Sequence, residues 1–274
     1  MNLSRKLLLV GGVFLLLLLP EAVRFSGVFR HYILPNPQHP ALISLPSQML
    51  WAWQRPEDLR GLPRDIGVAY VATSITIEGE TATVLARQHS LLLAPAIARV
   101  PVVHVDASWR APAALNARQQ QTIVDAVLSA VALSNTKVVQ LDFEVRRSQR
   151  QFLSDVVIAT RQQLPPDVAL SMTALASWCA GDNWLAKLPA DEVVPMAFRM
   201  AAGDTEIRAL LSKYGRLQPT HCQTAIGTAT DEPLQNLPLS SPWHKTNAAN
   251  NVQNKNFRHY RFSPKPWTQS QWQK

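Results

Sequence analysis

From Asp65 onwards, short continuous apolar runs alternate with stretches in which apolar residues return at helical spacing. The apolar runs are residues 66–72 (IGVAYVA), 100–105 (VPVVHV), 137–145 (KVVQLDFEV), 169–176 (ALSMTALA), 192–198 (EVVPMAF) and 224–228 (TAIGT), with 258–262 (RHYRF) as a late, seventh strand candidate. Strands that are apolar along their whole length are buried on both faces, as parallel strands covered by helices are. Between them, Asn116 stands where it can cap a helix whose residues Ile123, Val124, Val127 and Val131 fall on one face. Residues 148–163 predict a second helix with Phe152, Val156 and Ala159 on one side, stopped by Pro165 and Pro166. Residues 182–188 and 205–214 are further helical stretches, and 75–93 reads as a hairpin excursion around the turn Glu78, Gly79, Glu80. Seven strands with one excursion predict an α/β fold: a TIM-barrel-like (β/α) barrel, irregular or short of eight units. An open doubly wound sheet is the alternative. Its nucleotide-binding version is weakened, because no glycine-rich phosphate loop follows any strand and the chain has only 10 glycines.

Three segments make up the expected organisation. Residues 1–23 (MNLSRKLLLVGGVFLLLLLPEAV) place Arg5 and Lys6 before an apolar run over 7–19 that only Gly11 and Gly12 relieve. That length fits the core of an export signal better than the roughly twenty residues of a full bilayer span. Pro20, Glu21 and Ala22 make a weak cleavage site, so the segment is read as a signal peptide or, if uncleaved, a single membrane anchor. Either reading predicts a bacterial protein that is periplasmic, or held in the inner membrane facing the periplasm. Residues 24–63 carry Pro35, Pro37, Pro40, Pro46, Trp51, Trp53, Pro56 and Pro63 and read as an extended lead-in that packs by its aromatic rings. Residues 64–274 are the expected barrel domain, with 237–257, rich in Asn, Ser and Pro, as a loop.

The formal charge of +8 is uneven, since no carboxylate follows Glu232 while Lys245, Lys255, Arg258, Arg261, Lys265 and Lys274 do. A basic end of this kind suits an anionic surface or is a solvated face. No zinc-finger, RNA-binding or helix-turn-helix signature accompanies it, so no nucleic-acid partner is expected. The two cysteines, Cys179 and Cys222, match no zinc motif. They fit one disulfide in an oxidising compartment or two buried thiols.

A parallel barrel presents its chemistry at the C-terminal ends of its strands. In VVQLDFEV, alternation puts Gln140, Asp142 and Glu144 on one face and Val139, Leu141, Phe143 and Val145 on the other, towards the helices. Two carboxylates two residues apart on a strand sit roughly 6–7 Å apart at their α-carbons. Placing both in an apolar mouth is costly unless they are paired, hydrated or used. Used together they divide roles, one holding a proton through a raised pKa while the other positions or stabilises. The structural alternative is neutralisation by Arg146 or Arg147. The second strand ends in His104 and Asp106, again on one face, able to bind a hydroxyl, orient a catalytic group or ligate a metal. Trp178 follows the fourth strand, Arg199 ends the fifth, and Trp267 follows the last, where aromatic and cationic side chains could line the site. No G-x-S-x-G elbow is present and Cys179 has no catalytic context, so nucleophilic Ser or Cys chemistry is unsupported.

The stretches VQLDFEVRRSQRQFL, LSMTALASWC, DEVVPMAFRM and RFSPKPWT, in that order, resemble the bacterial family called domain of unknown function 3142. That likeness runs from about Asp65 to Trp267 and implies fold and context more than chemistry. A more distant similarity is to the chitinase-like barrels of glycoside hydrolase family eighteen, whose strand-end signature is D-x-D-x-E. In that family the Glu donates the proton, and the preceding Asp orients a substrate acetamido group that attacks in place of a protein nucleophile. The resemblance implies Glu144 as acid and Asp142 as its partner, with Trp267 in the place of a late tryptophan that floors such sites. Gln140 stands where the family has its first Asp, which removes a charge that would tune Asp142.

The function expected is that of a glycoside-hydrolase-like enzyme acting on an envelope or extracellular glycan without a cofactor. Glu144 and Asp142 would be its catalytic pair, with Gln140, His104, Asp106, Arg199, Trp178 and Trp267 shaping the pocket. A non-catalytic glycan-binding or envelope assembly barrel is the second expectation. A metal-assisted hydrolase using His104, Asp106 and Asp142 is the third.

Overall fold

A computed structural model describes residues 38–180, 183–201, 203–232, 234 and 257–272. The 1–23 leader and all but the last residue of the 237–257 loop lie outside them. The strands are β1 (Gln48–Ala52), β2 (Glu57–Leu59), β3 (Ile66–Glu78), β4 (Thr81–Ala86), β5 (Leu91–Leu93), β6 (Arg99–Ala107), β7 (Val138–Phe143), β8 (Ala169–Leu175), β9 (Glu192–Met196), β10 (Ala225–Ala229) and β11 (Arg258–Phe262). The helices are α1 (Pro40–Ile43), α2 (Ala117–Ser134), α3 (Arg150–Gln163), α4 (Ala176–Ala180), α5 (Asp204–Tyr214) and α6 (Gln269–Trp272).

Eight parallel strands close a barrel in the order β1, β3, β6, β7, β8, β9, β10, β11 and back to β1. Closure is made by β1, where Gln48 stands in register with Ile66 on one side and His259 on the other. The barrel is therefore complete, not short of eight units, and its first strand lies inside the segment expected to be a lead-in. β4 folds back antiparallel on the far end of β3, pairing Glu78 with Thr81, which is the expected hairpin. β2 and β5 form a small separate parallel pair. Helices α2 to α5 fill the crossovers from β6 to β10. Among the described residues no helix is long and apolar enough to cross a membrane.

Alternation sorts the side chains into two cores. Val139, Leu141, Phe143, Leu170, Met172 and Val193 point outward and meet Ile123, Val124 and Val127 of α2 and Leu153, Val156 and Val157 of α3. Asn116 caps α2 with a reciprocal bond to Gln119, and Asn135 closes it in the left-handed conformation. A cap of this kind contributes about 1 kcal/mol. The inner face holds Met49, Trp51, Ala69, Val102, Val138, Val194 and Tyr260.

A polar ladder threads this inner core. Trp51 Nε1 donates to Gln140 at 2.8 Å, Gln140 donates to Ser171 at 3.1 Å, and Ser171 donates to Glu192 at 2.8 Å. Tyr260 also donates to Glu192, at 2.8 Å, and Arg258 pairs with the same carboxylate and reaches the carbonyl of Leu42 beside α1. Every rung is buried, so each group must find its partner inside the barrel. Gly227 makes room for this arrangement, since a Cβ there would stand 2.6 Å from the Trp51 ring.

Cys179, in α4, and Cys222, just before β10, form a disulfide with 6.2 Å between α-carbons. It closes a loop across 43 residues, for which chain entropy alone contributes about 4 kcal/mol.

Candidate active site

The C-terminal mouth of the barrel holds a cavity of about 230 Å³, large enough for one ring-sized group. Its polar wall comes from adjacent strands. Asp142 near the end of β7 is 6% exposed, and its carboxylate accepts from Thr173 of β8 at 2.6 Å and bonds His104 Nδ1 of β6 at 2.9 Å. Register explains the meeting, because His104 and Asp142 are direct partners across β6 and β7. Glu144 follows one alternation step nearer solvent and is exposed at the rim.

The electrostatics favour a proton on Glu144. Partial burial of its carboxyl, and then the charges of Asp142 and Asp106, raise its pKa above the ordinary glutamate value, against a smaller lowering by His104. Burial alone would lower His104, but the hydrogen bond and charge of Asp142, with Asp106 and Glu144, outweigh it and raise the imidazole above its ordinary value. Neither Arg146 nor Arg147 forms an ion pair with Asp142 or Glu144 among the described residues. The neutralised-end alternative therefore has no support in the geometry.

The apolar wall is aromatic. Trp51, Trp53, Phe198 and Phe262 line the cavity with Met196. Phe198 and Phe262 stack at 5.5 Å between centroids, Trp53 meets Phe262 edge-on at 6.0 Å, and Trp53 also meets the His104 ring edge-on at 5.0 Å. These rings bury His104 from one side and offer flat faces to a ligand.

Arg199 lies on the cavity rim with φ of 52°, a left-handed conformation that costs a non-glycine residue of order 1 kcal/mol. Glu232 holds it there, accepting from both its backbone N–H and its guanidinium at 3.0 Å, while Asp231 takes the other side at 2.7 Å. Arg199 is thus committed to these two carboxylates and does not pair with Asp142.

The remaining expected site residues lie elsewhere. Gln140 sits one layer below the cavity, where it fixes Trp51. Asp106 stands exposed on the same side of β6 and acts on His104 and Glu144 through its charge. Trp178 is 5% exposed in the outer core, edge-on to Trp184 at 5.2 Å. Trp267 packs outside β1, and its indole donates to the Trp51 carbonyl at 2.9 Å. It supports the strand that carries the cavity's own tryptophans and does not floor the cavity. Trp51, Trp53, Thr173, Phe198 and Phe262 were not foreseen. Trp51 and Trp53 share a face by alternation once β1 is known to be a strand, and Thr173 and Phe198 follow from the same rule on β8 and beyond β9.

No three His, Cys, Asp or Glu side chains among the described residues converge as metal ligands. His104, Asp106 and Asp142 do not form such a group; His104 Nδ1 bonds the Asp142 carboxylate instead.

No protein-family model matches the chain, and no curated protein does. Several solved structures are similar in part. A GH18 chitinase from Pseudoalteromonas aurantia matches at TM-score 0.49 and 12% identity, over 79% of this chain and 94% of that one. The chitinase domain of the spore coat protein CotE from Clostridium difficile matches at TM-score 0.38 and 11% identity, over 58% of this chain. The Bacillus cereus spore cortex-lytic enzyme SleL matches at TM-score 0.43 and 14% identity, over 68% of this chain. This chain spans about half the length of those last two, 53% and 51%. The barrel itself is established by the strand pairing.

Proposed function

We propose that the protein is an exported glycoside-hydrolase-like enzyme of the domain-of-unknown-function-3142 type, acting on an envelope or extracellular glycan with Glu144 as the acid. The observation that carries this reading is the pairing at the end of β7. There a carboxyl with a raised pKa stands one alternation step above a carboxylate fixed by His104 and Thr173. Glu144 donates its proton to the glycosidic oxygen as the bond to the anomeric carbon breaks. The positive charge that develops on the sugar ring is met by the nearby carboxylate of Asp142. In the chitinase-like version suggested by D-x-E, Asp142 instead accepts from the N–H of an acetamido group and turns its oxygen towards the anomeric carbon. Glu144, now ionised, then takes a proton from the water that completes hydrolysis. The aromatic rings stack on the sugar and hold it against the carboxyl pair.

Export is part of the proposal. Its support is the apolar leader behind Arg5 and Lys6 and the Cys179–Cys222 disulfide, a bond that persists in oxidising compartments.

The test is turnover of chitin and peptidoglycan oligosaccharides by the wild type and by Glu144→Gln. A loss of about 10²- to 10⁴-fold is expected, with sugar binding and fold retained. Unchanged turnover removes Glu144 from the acid role. Binding by the wild type with no product would establish the non-catalytic glycan-binding reading, which the single-ring size of the cavity favours.

A further inference from the structure

A second and larger cavity, about 490 Å³, opens at the same end of the fold between β10, β11 and α6, on the outer side of the barrel wall. Its chemistry is unlike that of the mouth. Arg261 and Lys265 line it, and among the described residues neither has a carboxylate partner. Arg261 is half-buried, keeps one bond to the Gln271 carbonyl at 3.0 Å, and leaves its buried Nε without a partner. Burial holds its pKa below the ordinary arginine value, the direction expected of a cation that lacks a counter-charge. The one carboxylate on the wall, Asp231, is committed to Arg199 at 2.7 Å. Hydroxyls of Thr228, Thr230, Ser263 and Ser270 complete the polar lining with the amide of Gln271, which accepts from Thr268 and donates to Ser263.

A partly desolvated guanidinium with free N–H groups is matched by an oxyanion, which can take two parallel bonds from its planar fork. Lys265 adds a second cation on the exposed rim. The hydroxyls of Thr230 and Ser270 suit the hydroxyls of a sugar, and the volume exceeds what a bare anion needs. We propose that this cavity is a binding site for an acidic sugar, a ring carrying a carboxylate or phosphate group, with Arg261 and Lys265 holding the anion. The site does not rest on Glu144 being catalytic, since it shares no residue with the mouth cavity.

The experiment is calorimetric titration of the full chain with glucuronate, glucose 6-phosphate and neutral glucose at low salt, repeated on Arg261→Gln and Lys265→Gln. One or both acidic sugars should bind at least about tenfold more tightly than glucose, and both cation variants should lose about that factor. Lys265→Gln changes an exposed side chain, so the test survives if Arg261→Gln fails to fold. Equal binding of glucose and the acidic sugars, no binding of either acidic sugar, or affinities indifferent to both cation substitutions would overturn the site.

Discussion

Glu144 and His104 both hold a proton more tightly in the folded chain than they would in an open one. A group whose folded pKa is raised contributes stability that is whole below its unfolded value and is lost as pH rises through the folded value. For Glu144 the loss begins above its ordinary value of 4.5, and for His104 above 6.5. Glu144→Gln removes one of these groups. Its thermal midpoint should match the wild type near pH 4 and exceed it near pH 7, because the wild type there carries a carboxylate that the folded site disfavours. Equal midpoints at both pH values would mean that the mouth does not perturb Glu144. The same sign fixes the rate profile. Asp142→Asn removes a charge that raises Glu144, so the basic limb of any residual activity should move to lower pH. These three side chains were legible from alternation alone, since a period of two assigns a face without knowledge of the fold. Trp267 was not, because a residue after a strand has no such rule, and the chain there turns away from the mouth to brace β1 from outside.

Two glycines show how much the elements depend on what faces them. At Gly227 on β10 a methyl group would meet the Trp51 ring at 2.6 Å, with the Met196 α-carbon behind it at 3.5 Å. At Gly67 on β3 it would meet the sulfur of Met49 at 2.5 Å, near the end of a flexible side chain, and the Ala98 carbonyl oxygen at 3.3 Å. Gly227→Ala should therefore cost about 1–3 kcal/mol and disturb ligand binding by shifting Trp51, whereas Gly67→Ala should cost less, because the Met49 side chain can rotate where an indole cannot. Denaturant unfolding of both variants tests the contrast, and equal costs would show that Trp51 can yield as easily as Met49. Six of the eight barrel strands could be read from their apolar runs, and β11, which carries two arginines, only as a late candidate. β1 could not, because its five residues lie between Pro46 and Pro56 in a segment whose composition reads as a connection. Strand pairing from two neighbours, β3 and β11, overrides that local composition. The aromatic wall went unread for the same reason, since two of its four rings come from β1 and the loop that follows it.

For the whole molecule, closure is the property that matters most. A chain beginning at residue 64, the boundary that composition suggests, lacks β1 and leaves the facing edges of β3 and β11 unpaired. It also lacks Trp51, and so the top of the buried ladder. Such a fragment should fail to give a cooperative unfolding transition and should aggregate, whereas one beginning at residue 38 should fold. Circular dichroism and size-exclusion chromatography decide this, and a monomeric, cooperatively folding fragment from residue 64 would show that closure by β1 is dispensable.

The same closure imposes an order in time. Arg258, which opens β11, binds the backbone at Pro46 just ahead of β1, across a separation of 212 residues. At a synthesis rate of about 5–20 residues per second, the first strand waits roughly 10–40 s for the partner that seals it. Until then the nascent chain has a sheet with two open edges and a carboxylate, Glu192, whose cation has not yet been made. A molecule built in this way cannot be finished piecemeal as it emerges. Its last strand acts as a clasp, and the chain remains open to a chaperone or a secretion channel until that clasp arrives.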